Sequence, residues 1–322
     1  MKAWALTAAL AAICGAGVGA VAISAHLQTS SESLTHALAA AERDRAPRAR
    51  ASSSPSPSPA KSAASVAPAP TREAASTAPP ASLRFEQTRT VNGAPVYVPA
   101  QCSGPYDVIL HFHGAHPYVR ELAEKSGIPA VVAVFNAGNG AEKYAQAYHA
   151  GGALSSLLRQ VSMAAAPLCS GPDAQPRRVA LSAWSAGYGG VERLLSRAED
   201  RARVDAVLLA DGLHAPFMDP YKRTFAPNAL QSFRELGQLA KQGEKLFAIT
   251  HSSIMTDGYA STTECSKLLL EALGVPTEGA LVSGKAGHFS IEGATGDDKA
   301  AHVAQFRQMD ATLLAKLRAR WQ

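Results

Sequence analysis

A serine lies where a short apolar run gives way to a series of small residues. The stretch 183–187 reads A-W-S-A-G and follows the apolar, β-branched residues 178–181. Its spacing is that of G-x-S-x-G with alanine in the first glycine position, which is typical of a sharp strand-to-helix turn that exposes the serine hydroxyl. The pattern predicts that Ser185 is an acyl-transfer nucleophile and that the N–H of Ala186 faces a developing oxyanion. The alternative is a serine that only caps the turn.

Apolar runs of strand length alternate with helical patterns from residue 82 to residue 322. The runs lie at residues 83–91, 95–98, 107–112, 130–135, 178–184, 204–210, 246–250 and 280–283. Alternating strands and helices indicate a parallel sheet with helices on both faces. With eight strands and an exposed serine after the fifth, the chain resembles the α/β-hydrolase fold. The resemblance implies one α/β domain at residues 82–322, built on a mostly parallel eight-stranded sheet.

The resemblance implies a catalytic carboxylate and a histidine after the serine, each near the carboxyl end of a strand. Asp211 directly follows the sixth predicted strand, so we expect it to be held more rigidly than Asp257, which lies in a loop after the seventh. His288 lies between the last predicted strand and the C-terminal helix, where the family carries its histidine. We therefore predict a Ser185–Asp211–His288 triad, with Asp257 as the alternative acid.

A histidine-rich segment, H-F-H-G-A-H at residues 111–116, follows the third predicted strand. It resembles the oxyanion loop of the hydrolase family, which implies that the N–H of Gly114 or Ala115 joins that of Ala186. A second interpretation is a zinc site similar to the H-x-H-x-D-H motif of metallo-β-lactamases, although Ala115 replaces the aspartate. The zinc ligands in that case would be His111, His113 and His116. We favour the oxyanion loop and predict no metal.

Two further side chains flank the predicted catalytic residues. Trp184 precedes the serine, and we predict that it lines the substrate pocket, with packing under the turn as the alternative. His214 lies three residues beyond Asp211 and is either a further candidate for the base or a polar residue that lines the pocket. The sequence contains neither a dinucleotide fingerprint nor a P-loop, so we predict no cofactor.

Two cysteines give a separate test of the fold. Cys102 precedes the third predicted strand and Cys169 the fifth. Because these strands are neighbours in an α/β-hydrolase sheet, the resemblance implies that both cysteines lie at its non-catalytic end, where they can form a disulfide. Two unpaired buried thiols are the alternative.

The N-terminal residues differ from the rest of the chain. Residues 1–27 are basic at the start and then almost wholly apolar, which predicts a signal peptide or membrane anchor. Residues 28–81 are rich in Ala, Ser and Pro, a composition typical of a disordered linker. We therefore expect an exported protein that is secreted, periplasmic or anchored to the membrane or cell envelope.

The net charge of the whole chain is +5, and its distribution along the chain decides whether a nucleic-acid partner is expected. Residues 83–322 carry 24 Lys and Arg against 22 Asp and Glu, so we predict no nucleic-acid partner. The combined features predict an exported serine hydrolase that cleaves carboxylic esters of small molecules or polymers. The alternatives are a non-catalytic binding module of the same fold, or a zinc-dependent hydrolase.

Overall fold

The computed structural model describes residues 83–322. The predicted signal segment, 1–27, and the predicted linker, 28–81, lie outside the described residues. Within this range no helix is long and apolar enough to cross a membrane.

Strands and helices alternate through most of the described chain. In chain order they are β1 (Phe85–Arg89), β2 (Pro95–Pro99), β3 (Tyr106–Phe112), α1 (His116–Ser126), β4 (Ala130–Phe135), α2 (Ala141–Ala147), α3 (Ala153–Ala165), β5 (Pro176–Trp184), α4 (Tyr188–Leu195), α5 (Ala198–Arg203), β6 (Ala206–Ala210), β7 (Ala215–Asp219), β8 (Thr224–Phe225), α6 (Gln231–Lys241), β9 (Leu246–His251), β10 (Tyr259–Ala260), α7 (Thr262–Ala272), β11 (Gly284–Ala286), β12 (Phe289–Gly293), α8 (Lys299–Arg307) and α9 (Leu313–Trp321). A single 3₁₀ turn, Ser185–Gly187, joins β5 to α4.

Nine strands form one sheet in the order β1-β2-β4-β3-β5-β6-β9-β12-β11. Its centre is parallel, from β4 through β3, β5, β6 and β9 to β12. The pairs β1–β2, β2–β4 and β11–β12 are antiparallel. The expectation of a mostly parallel eight-stranded sheet is therefore corrected. The sheet is mixed and has nine strands, because the β11–β12 hairpin supplies two strands where the sequence predicted one.

Four of the central strands are buried along their whole length, as expected for a sheet covered on both faces. Every residue of β3, β4, β6 and β9 is buried. Because side chains alternate along a strand, each strand supplies both cores. Leu209 packs into the core on one face, for example, and Leu208 packs into the core on the other.

A small second sheet begins just beyond the end of β6. It has three strands in the order β10-β7-β8. Strand β10 comes from the segment after β9, and Ala260 pairs with Ala215 of β7. The chain that leaves β6 is therefore tied to the chain that leaves β9.

The predicted disulfide between Cys102 and Cys169 is present, with Cα atoms 4.7 Å apart. The two cysteines precede β3 and β5, which are adjacent and parallel. A parallel bridge between Ser103 and Ser170 holds the same two segments together. The disulfide thus lies at the end of the sheet opposite Ser185.

Candidate active site

Ser185 occupies the tight turn between β5 and α4. Its φ angle is 51°, in the left-handed region that residues with a side chain seldom adopt. β5 lies between β3 and β6 near the middle of the sheet, and Ser185 directly follows its carboxyl end. The hydroxyl is therefore presented at the rim of the sheet by a strained turn.

Two glycines explain how the chain packs so closely at this turn. A Cβ atom at Gly187 would lie 2.1 Å from the carbonyl oxygen of Phe112, at the end of β3. A Cβ atom at Gly212 would lie 2.3 Å from the carbonyl oxygen of Ser185. The segments that follow β3, β5 and β6 are thus in backbone contact, which side chains at either position would prevent.

Asp211 is the first residue after β6 and is only 4% exposed. Its carboxylate accepts hydrogen bonds from the Ser252 N–H at 3.1 Å and from the Ser252 hydroxyl at 2.6 Å. Its Oδ2 also accepts one from Nδ1 of His302 at 2.8 Å. Burial opposes ionisation, but the hydrogen bonds from His302 and Ser252 outweigh it and lower the pKa of Asp211 below its usual value.

His302 lies in α8, the helix that follows the last parallel strand. Its ring is centred 4.9 Å from the Trp184 ring, and Nε1 of Trp184 donates a hydrogen bond to the His302 carbonyl at 3.2 Å. Trp184 immediately precedes Ser185, so the residue before the serine fixes the position of the histidine. The paired His302 and Asp211 side chains therefore lie at the carboxyl end of the sheet, the end at which Ser185 follows β5.

The order of the strands and the left-handed serine on the strand-to-helix turn after β5 are those of the α/β-hydrolase fold. Such an arrangement is suited to nucleophilic acyl transfer, because the imidazole can take a proton while the carboxylate fixes its tautomer.

No protein-family model and no curated protein matches the sequence. Solved structures of similar layout include a cold-adapted esterase from an Arctic intertidal metagenomic library, at 14% identity and a TM-score of 0.39, covering 76% of this chain and 97% of that one. An esterase of Pyrobaculum calidifontis has 13% identity and a TM-score of 0.37, covering 74% and 83%. The esterase LipW of Mycobacterium marinum has 18% identity and a TM-score of 0.40, covering 72% and 81%.

The structure does not bring His288 to the end of the sheet where Ser185 and Asp211 lie. His288 is an exposed turn residue between β11 and β12, and its Nδ1 lies 2.8 Å from Nη1 of Arg320. It precedes Phe289, which pairs with Phe247 near the start of β9, so it lies at the amino end of the sheet. The histidine that contacts Asp211 is His302 and not the expected His288. The sequence placed the last strand at 280–283, a segment that forms a turn.

A sequence signal for His302 existed. The run F-S-I-E-G at 289–293 alternates apolar and polar residues as a strand does, and Asp298 caps the helix that follows by accepting a hydrogen bond from the Ala301 N–H. A histidine in that first helix after the strand satisfies the family order as well as His288 does. The alternative acid, Asp257, is exposed in the loop before β10.

Gly114 is part of the loop that follows β3, but its N–H is already engaged. It donates to Oδ1 of Asn136 at 3.0 Å, while Nδ2 of Asn136 donates back to the Gly114 carbonyl at 3.0 Å. The candidate oxyanion donors are therefore the N–H groups of Ala115, at the start of α1, and Ala186. Neither has a hydrogen-bond acceptor within residues 83–322. The N–H of Gly114, one of the expected oxyanion donors, is therefore not free in this structure.

Asn136 therefore acts as a positioning residue for the loop after β3. We expect Asn136→Ala to lower kcat about 10-fold or more with little change in KM, because freeing the Gly114 peptide displaces the Ala115 N–H, and loss of a donor of this kind costs up to roughly 10²–10³ in kcat. Ester-hydrolysis kinetics and a thermal melt would measure this. Asn136→Asp keeps an oxygen that accepts the hydrogen bond of the Gly114 N–H, so its kcat should lie between those of the wild type and Asn136→Ala. A lower Tm with unchanged kcat would contradict the assignment.

The three histidines of the 111–116 segment do not converge. Nδ1 of His111 contacts the Ser182 hydroxyl at 3.0 Å, Nδ1 of His113 contacts the Tyr144 hydroxyl at 2.8 Å, and Nδ1 of His116 contacts the Tyr97 hydroxyl at 2.6 Å. In the part of the chain described, no three His, Cys, Asp or Glu side chains group closely enough to hold a metal. The zinc interpretation therefore has no ligand set in this segment.

Two of these histidines are buried in the neutral form. Burial lowers the pKa of His111 to about 3, and burial together with the charge of His302 lowers that of His113 to about 4. In the unfolded chain both rings protonate below about pH 6.5, whereas in the fold they stay neutral down to about pH 4. We expect the free energy of unfolding to fall by roughly 4 kcal/mol between pH 7 and pH 5.

Denaturant unfolding at pH 7, 6 and 5 would measure this dependence. Carboxylates with a lowered pKa, such as Asp211, lose their contribution to stability only at about pH 4 and below. The loss of stability between pH 7 and pH 5 can therefore be assigned to the histidines. A flat profile between pH 7 and pH 5 would contradict it.

The two predicted pocket residues have different environments. Trp184 is 5% exposed, and the centre of its ring lies 5.3 Å from that of His113 and 4.8 Å from that of Phe306. It therefore packs in the core against His302 and does not line a pocket. His214 is partly exposed and lies between the rings of Tyr188 and Tyr259.

Proposed function

We propose that the protein is a serine hydrolase of carboxylic esters that uses Ser185, His302 and Asp211. The observation that carries this proposal is the left-handed serine at the end of β5 beside a buried carboxylate that holds Nδ1 of His302. Because Nδ1–H of His302 is donated to Asp211, Nε2 is the nitrogen that is free to accept a proton. A neutral imidazole in this tautomer is the form that a general base requires.

In the acylation step, Ser185 Oγ attacks the acyl carbon and its proton passes to Nε2 of His302. The negative charge on the carbonyl oxygen is stabilised by the N–H groups of Ala115 and Ala186. As the tetrahedral intermediate collapses, the bond to the alcohol oxygen breaks, and His302 returns the proton to that oxygen. The alcohol leaves, and an acyl-Ser185 ester remains.

Water completes the cycle by the same route. His302 takes a proton from the water, whose oxygen attacks the acyl carbon, and then returns the proton to Ser185 Oγ as the carboxylic acid departs. Asp211 remains ionised throughout, because its hydrogen bonds lower its pKa. It stabilises the imidazolium that forms in each half of the cycle.

The substrates we propose are small-molecule or polymer esters outside the cytoplasm. Two features support export: the basic and then apolar residues at the N-terminus, and the disulfide, which persists in oxidising compartments. The Ala/Ser/Pro-rich segment would then link an envelope tether to the hydrolase domain. Cell fractionation of the full-length chain tests this, and recovery in the cytoplasm with free Cys102 and Cys169 would contradict it.

A fluorophosphonate probe and a series of p-nitrophenyl esters of increasing chain length test the enzymatic proposal. We expect covalent labelling at Ser185 and turnover of at least one ester, both insensitive to EDTA. A binding module would give neither labelling nor turnover. Activity that EDTA abolishes and zinc restores would favour the metal-dependent alternative instead.

A further inference from the structure

The ring of His214 contacts two tyrosine rings, one of which belongs to the helix that follows Ser185. The His214 ring is centred 5.4 Å from the Tyr188 ring and 5.1 Å from the Tyr259 ring, and it meets both edge-on, at 70° and 89°. Tyr188 starts the helix that follows Ser185, and Tyr259 starts β10. The His214 ring is thus held between the helix of the nucleophile and the second sheet.

The hydrogen bonding of His214 leaves one nitrogen free. Its Nδ1 lies 3.0 Å from the Ala260 carbonyl, which can only accept, so Nδ1 carries the proton. Burial lowers the pKa of His214, which keeps the ring neutral near pH 7. In that form Nε2 is an acceptor, and it has no protein donor in the described part of the chain.

The His214 ring lies close to the proposed active site. It follows Asp211 and Gly212, and Gly212 packs against the backbone of Ser185. The charges of Asp211 and His302 both act on the His214 ring. The proposed mechanism gives His214 no role, although the ring is partly exposed.

We propose that Nε2 of His214 accepts a hydrogen bond from a donor on the substrate, so that the enzyme prefers esters with a hydroxyl group close to the scissile bond. This inference rests on the proposed function and adds a substrate class to it. A substrate without the donor leaves a half-buried acceptor unpaired, and such a loss disfavours that substrate. We expect a preference of about 10-fold in kcat/KM, because one neutral hydrogen bond contributes roughly 1–1.5 kcal/mol.

Two pairs of esters, each differing by a hydroxyl or a methyl group, test this preference and locate the donor. p-Nitrophenyl 3-hydroxybutyrate and 3-methylbutyrate carry the difference in the acyl part, and 2-hydroxyethyl and propyl butyrate carry it in the alcohol. We expect the hydroxyl ester of at least one pair to be favoured about 10-fold. A ratio near one for both pairs in the wild-type enzyme would overturn the proposal.

His214→Phe keeps an aromatic ring between the two tyrosines but removes the acceptor. We expect it to reduce the hydroxyl-to-methyl ratio of kcat/KM to near one. The matched control, His288→Phe, changes an exposed histidine at the opposite end of the sheet and should keep the wild-type ratio. A preference that survives in His214→Phe would also overturn the proposal.

The failure of this inference differs from a failure of the proposed function. If only the inference fails, fluorophosphonate still labels Ser185 and both esters of each pair are hydrolysed at similar rates. If the function itself fails, neither labelling nor turnover occurs with any of the four esters. Labelling of His214→Phe by the probe also shows whether that variant is folded.

Discussion

Ser185→Ala is expected to lower kcat for ester hydrolysis by roughly 10⁴–10⁶ and to abolish fluorophosphonate labelling. Without the hydroxyl no acyl-enzyme can form, and only binding and the oxyanion donors remain, as in other triad enzymes that lose their nucleophile. Initial rates with a p-nitrophenyl ester and mass spectrometry of the labelled protein would measure both effects.

The fold should survive this substitution. Alanine is smaller than serine and fits into the same turn, so we expect little change in Tm. The matched control is Ser196→Ala, an exposed serine just after α4 whose hydroxyl bonds to the Arg193 carbonyl. It should retain full activity. Residual activity of Ser185→Ala within 10-fold of the wild type would mean that another group carries out the reaction.

The second large effect separates the two histidines. We expect His302→Ala to lower kcat by on the order of 10⁴–10⁶, because the serine loses its base. His288→Ala should change kcat less than 2-fold, since His288 contacts Arg320 at the amino end of the sheet. Initial rates of both purified variants measure the difference. The reverse ranking would restore His288 to the triad and leave His302 as a packing residue.

The two aspartates can be separated in the same way. Asp211→Asn should lower kcat about 10⁴-fold, because an amide group no longer selects the tautomer of His302 that accepts a proton. Asp257→Asn should have little effect, since its side chain is exposed in a loop. Equal and small effects in both variants would show that neither carboxylate orients the base.

The amino-acid sequence was sufficient to predict the local turn that carries Ser185. The A-W-S-A-G pattern identified the strand-to-helix turn, because a small residue is needed wherever two backbones touch, as at Gly187. Asp211 could be selected because it directly follows a wholly apolar run. The disulfide followed from the resemblance to the α/β-hydrolase fold, which implies that the strands after Cys102 and Cys169 are adjacent and parallel.

Only the tertiary structure decided which histidine pairs with Asp211. The two residues are 91 positions apart, and the choice depends on which short run adds to β9 as the last parallel strand. Residues 280–283 and 289–293 could each form that strand by length. In the structure it is residues 289–293 that pair with β9, and His288, which precedes them, therefore lies at the amino end of the sheet.

The hydrogen-bond donors of the loop after β3 could also be identified only from the tertiary structure. The N–H of Gly114 is removed from the set of candidate donors by Asn136, a residue on the next strand connection. Trp184 is buried because α8 packs over it, although its position beside the serine suggested a pocket wall. A sequence pattern with a short period encodes local backbone geometry, whereas the partners of a side chain depend on segments that meet only when the sheet has formed.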